Sequence, residues 1–132
     1  MRLAAGMALV LLVQAPAAAA QEEALRLPSG LEARLQEVLT DRPSGGGLTY
    51  RFRFVAKGFK GGEAGLEQVM EDLEWLCVTY ALPRLSNIGP RPGRVVISVA
   101  DRPSEFGVFD PTVIQVFEAY RPEGDTCIWE MF

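Results

Sequence analysis

From Leu48 to Val55 the chain alternates strictly: Leu48, Tyr50, Phe52 and Phe54 fall on one side, and Thr49, Arg51, Arg53 and Val55 on the other. A period of two predicts a strand with one core face and one charged face. Leu31, Ala33 and Leu35 alternate in the same way against Glu32, Arg34 and Gln36 until Glu37-Val38-Leu39 blurs the pattern, which leaves a short helix open there. The run Asp41-Arg42-Pro43-Ser44-Gly45-Gly46-Gly47 reads as a loop. After Gly58 the period changes. Leu66, Val69, Met70, Leu73, Leu76, Cys77 and Tyr80 recur at spacings of three and four, predicting an amphipathic helix with Glu63, Glu67, Asp72 and Glu74 off its apolar side. Pro83 is expected to stop that helix near Leu82.

Beyond a second loop from Asn87 to Gly93, Val95, Ile97 and Val99 mark a strand over Arg94 to Ala100. Asp101-Arg102-Pro103-Ser104 repeats the tetrapeptide at Asp41 to Ser44 and is read as the same strand-ending turn chemistry used twice. Thr112 to Tyr120 predicts a well-buried strand, Arg121 to Asp125 a hairpin turn, and Thr126 to Phe132 a last strand. The order β-β-α-β-β-β is expected to form an α+β fold: one antiparallel-rich sheet of five strands with the helix on one face.

The first twenty residues change the picture of where this domain works. Arg2, an apolar core from Leu3 to Val13 and the small-residue tail Ala15 to Ala20 have the form of a secretory signal cleaved after Ala20. The apolar core is too short for a span, which takes roughly 20 residues. The expected mature chain, residues 21–132, is then one domain, periplasmic or secreted, with no membrane span. Without Arg2 it carries 12 basic against 17 acidic side chains, which argues against nucleic acid as partner. Export also predicts that the two cysteines, Cys77 and Cys127, form a disulfide. If they do, Trp129 and Met131 share the face of Cys127 that looks at the helix, and Ile128, Glu130 and Phe132 face away.

Candidate chemistry is sparse. With no histidine in the chain, nucleophile–histidine pairs are excluded and the commonest metal ligand is missing. No catalytic residue, metal site or cofactor is predicted. Glu67 and Glu71, one helical turn apart, are read as a solvated face. Lys60, Gly61 and Gly62 ahead of the helix have the composition of an anion-binding nest, though they lack the G-K-[ST] ending of a phosphate loop. Arg51 and Arg53 project together from the polar side of their strand; Glu118 and Glu130 are candidates for the same face. With Tyr120 and Phe132, the two arginines are expected to form an exposed contact surface on the sheet face away from the helix.

Leu76-Cys77 with Ala81-Leu82-Pro83, Ile97-Ser98-Val99-Ala100-Asp101-Arg102 with Phe106-Gly107, and Phe117-Glu118-Ala119-Tyr120 with Cys127-Ile128-Trp129-Glu130 resemble a group of small exported bacterial proteins with no assigned function. The resemblance covers nearly the whole mature chain and implies a shared fold, without handing over a catalytic residue. The functional expectation is an exported accessory protein that binds another envelope or secreted protein. A small-ligand or anion-binding module is the alternative, and a carboxylate-based hydrolase a more distant one.

Overall fold

The computed structural model describes residues 2–12, 23–42 and 47–131. Its strands are β1 (Leu25–Arg26), β2 (Glu32–Asp41), β3 (Thr49–Val55), β4 (Arg94–Ala100), β5 (Gln115–Glu123) and β6 (Thr126–Glu130). They form one sheet in sequential order, antiparallel throughout except for the parallel pair β3 and β4. A single crossover joins that pair: a short 3-10 turn (Gly61–Ala64), helix α1 (Leu66–Trp75), a π-helical stretch (Leu76–Ala81) and helix α2 (Leu82–Ile88), continuous from Leu66 onward. The fold is α+β, as expected, with the two-residue β1 added to the five predicted strands.

The helical run lies on the face bearing Tyr50, Phe52 and Phe54 of β3 and Val95, Ile97 and Val99 of β4, all buried. Against them it sets Val69, Leu73, Leu76, Cys77, Ala81 and Leu85, and these residues form one core. Each fully buried Leu, Val or Phe contributes about 1.5–3 kcal/mol of transfer free energy. Tyr80 closes the core edge-on to Phe54, ring centroids 5.3 Å apart, with the Arg84 guanidinium 3.6 Å from its other side.

Pro83 does not end the helix. It sits in the first turn of α2, directly after the π-helical stretch that carries the run past it. The widened π turn before it lets Leu82 N–H reach Cys77 O, and the Arg84 side chain caps Tyr80 O at 2.9 Å. Asp72 is also misplaced by the periodicity. Only 2% exposed, it accepts a hydrogen bond from Ser29 N–H at 2.9 Å, and so fastens the Pro28–Gly30 turn to the helix.

The blur at Glu37-Val38-Leu39 is a bulge. Register shifts between Leu35 and Glu37, so that Leu35 and Val38 both serve the core while Glu37 points to the opposite face. β5 begins later and is less buried than expected; Phe117 is 53% exposed, and burial is confined to Ala119, Tyr120 and Pro122. The hairpin turn shrinks to Gly124-Asp125, with Gly124 at φ 56°, because Pro122 still pairs with Cys127.

Candidate functional site

Cys77 and Cys127 are disulfide-bonded, with Cα atoms 6.3 Å apart. The bond fixes β6 to the helical run and settles which way the strand faces. Trp129 lies on the side of Cys127, as expected, and its Nε1 donates to Glu118 at 2.9 Å. Glu118 is therefore on the helix side and not on the open face, where Glu130 does lie, beside Arg94 and Arg121.

The open face carries Arg51 and Arg53 of β3, Val96 and Ser98 of β4, and Phe117 and Ala119 of β5 side by side. Contrary to the expectation of an uncovered surface, the segment from Asp101 to Ile114 folds back across it. At its base Asp101 N–H donates to Ile114 O and Ile114 N–H to Asp101 Oδ1, both at 3.0 Å. Ser104 is held by Gln36 Nε2 on its carbonyl at 2.9 Å and by Arg53 Nη2 on its hydroxyl at 3.1 Å. Between these anchors the Phe106 ring stands over both arginines, 5.3 Å from the Arg51 guanidinium carbon and 5.5 Å from that of Arg53. Each contact is worth about 0.5–2 kcal/mol, more as water is excluded.

The two arginines thus differ. Arg53 is buried, 4% exposed, and ion-paired with Glu37; it is part of the floor. Arg51 remains partly accessible and reaches Asp41 only at 3.6 Å. Its Nε, like the Ser98 hydroxyl, is buried with no hydrogen-bond partner among the described residues. Leaving such a group unpaired costs about 1–3 kcal/mol. Both residues line a cleft of about 250 Å³ whose rim includes Phe106, Val108, Phe109 and Phe117. That rim is conspicuously apolar, and Phe109 is 89% exposed.

Tyr120 does not belong to this surface. It faces the helix side, opposite Val95 and Trp129, and is 1% exposed. Burial, with added repulsion from Glu118 and Glu74, pushes its phenol well above the usual tyrosine range, so it stays neutral. Phe132 lies outside the described residues. Lys60 is exposed, but Gly61 is pressed under the loop: a Cβ there would come within 3.0 Å of the Ile114 side chain. The nearby amides of Glu63 and Gly65 are given to Lys60 O and Gly62 O. Glu67 and Glu71 are exposed, and no group of three carboxylate or thiol ligands placed to hold a metal exists among the described residues.

The sequence reading missed Ser98, Phe106, Val108, Phe109 and Phe117. The signal was present: in Pro103 to Pro111 three large apolar residues sit among Pro, Ser, Glu, Gly and Asp, where a solvated loop has no need of them.

No curated protein and no solved structure matches this chain. A family model does, over residues 9–132, and the chain belongs to that family, a family of unknown function (DUF6497).

Proposed function

We propose that this chain is an exported binding protein that recognises another protein through the open sheet face and the loop laid across it. The observation that carries the reading is the apolar rim: Phe106, Val108, Phe109 and Phe117, each more than half exposed, surround a floor of arginine side chains. Phenylalanine and arginine are among the side chains enriched in protein interfaces. A monomer with no partner has no reason to hold so many large apolar groups in water. This cleft, about 250 Å³, is small for a small-molecule site, which usually runs from about 300 Å³ upward. Export fits the disulfide, and among the described residues no helix is long and apolar enough to cross a membrane; cleavage after Ala20 is part of this proposal.

The test is a photo-cross-linking residue at Phe109, compared with one at Val78 on the helical run, in cells that make the protein. A discrete cross-linked partner is expected from position 109 and none from 78. Equal yields from the two positions, or none from 109, would reject the interface.

A further inference from the structure

Resting on that interface reading, we infer that the cleft receives the C-terminal residue of the partner chain, its carboxylate on Ser98 Oγ and Arg51 Nε and its apolar side chain among the phenylalanines. Ser98 is 5% exposed and its hydroxyl, like the Nε of Arg51, has no hydrogen-bond partner among the described residues, and both residues line the same cleft. They stand on neighbouring parallel strands and on the same sheet face, Arg51 opposite Val96 and Ser98 two residues further along. The Arg51 Nε–H can only donate and the Ser98 hydroxyl is able to, so one acceptor can serve both, and a carboxylate beside a guanidinium is the strongest of these.

The rim narrows the choice of carrier. Along an extended peptide, adjacent side chains point to opposite sides. An internal Asp or Glu therefore cannot bring both its carboxylate and its neighbour's apolar side chain into a cleft of about 250 Å³. A terminal residue carries both on one Cα. A free small acid would fill the cleft yet leave Phe109, 89% exposed, uncovered, whereas the residues preceding a chain end would run across it. Phe106 lies over the guanidinium groups and is itself 51% exposed, so its rotation outward opens the floor to the ligand.

The experiment is an amide chemical-shift titration of the disulfide-bonded protein with four probes: acetyl-Gly-Phe acid, acetyl-Gly-Phe amide, acetyl-Asp-Phe amide and 3-phenylpropionate. The acid is expected to bind at least about tenfold tighter than its amide, the scale of one charge-assisted hydrogen bond, and clearly tighter than the two carboxylates that lack either the correct placement or the preceding residue, with shifts centred on Arg51, Ser98 and Phe117. Ser98→Ala, which removes only the unpartnered hydroxyl, should lower affinity for the acid several-fold and leave that for the amide unchanged. Arg51→Gln should do the same, and if it fails to fold, Ser98→Ala alone decides. Acid and amide binding alike, a match between the acid and either other carboxylate, or shifts centred elsewhere overturns the inference. If the cross-link from position 109 persists in that case, the interface stands and only the chain end falls. Acid-selective binding without any cross-link rejects the protein interface and retains the carboxylate chemistry.

Discussion

Asp72 shows how far one side chain can depart from the pattern that surrounds it. On an amphipathic helix an acidic residue is expected in water, yet this one lies in the contact between helix and N-terminal turn, where its carboxylate takes the Ser29 N–H. Asp72→Ala would leave that amide without its acceptor, at a cost of about 1–3 kcal/mol. Asp72→Asn, which keeps a carbonyl oxygen there, is expected to lose less, and urea unfolding of the two variants measures the difference. Equal stability of wild type and Asp72→Ala would show that the turn is held by other means. Nothing in the spacing of Leu66 to Tyr80 could reveal this, because the partner is a backbone group 43 positions away. Tyr120 eluded the sequence for a different reason. Val116 and Tyr120 lie on one face of β5, Phe117 and Ala119 on the other, so hydrophobicity alone does not say which face is core. The register to Trp129, fixed by Cys127, decides it.

At the scale of elements, alternation placed β3 and β4 correctly, because both strands are flanked by partners and expose distinct faces. The helix was legible in period but not in length; a proline in the first turn of a new helical segment reads locally like a terminator. The loop from Asp101 to Ile114 was the least legible element, since turn residues announce a bend but not the surface it returns to. Its closure at the base, and one turn within it, use carboxylates that accept hydrogen bonds. Desolvation raises the pKa of Asp101, but hydrogen bonds from Arg102 and from Ile114 N–H outweigh it and hold the carboxyl below its ordinary value. The Thr112 hydroxyl and N–H do the same for Asp110. A carboxyl lowered in the folded state contributes its full stabilisation above the unfolded value, about 3.9, and loses it as pH falls through the folded value. The clasp is therefore expected to be intact above about pH 5 and to loosen progressively below pH 4. Amide exchange at Thr112 and Ile114, corrected for intrinsic rates, should speed up at pH 3 relative to pH 6. Unchanged protection would mean the loop is held by its backbone ladder alone.

Across the whole molecule, the sequence order of elements carried over to space: every strand neighbours the next, and only the parallel β3–β4 pair requires a crossover. The two antiparallel halves on either side of it are joined by that crossing and, covalently, by the bond from helix to β6. Closing a loop with a sequence separation of 50 should stabilise the fold by about 4 kcal/mol in the chain-entropy treatment. Urea unfolding with and without reductant is expected to show most of that difference, and a shift under about 1 kcal/mol would mean the reduced chain is already constrained. Mechanically, the same bond reroutes force. A pull on the C-terminus of a terminal strand ordinarily unzips it one rung at a time, but here only Ile128, Trp129 and Glu130 separate the end of β6 from a covalent link. The load passes at Cys127 into the helical run and never reaches the rungs nearer the hairpin, so tension from a tethered or bound C-terminal end is borne by the core rather than by the edge of the sheet.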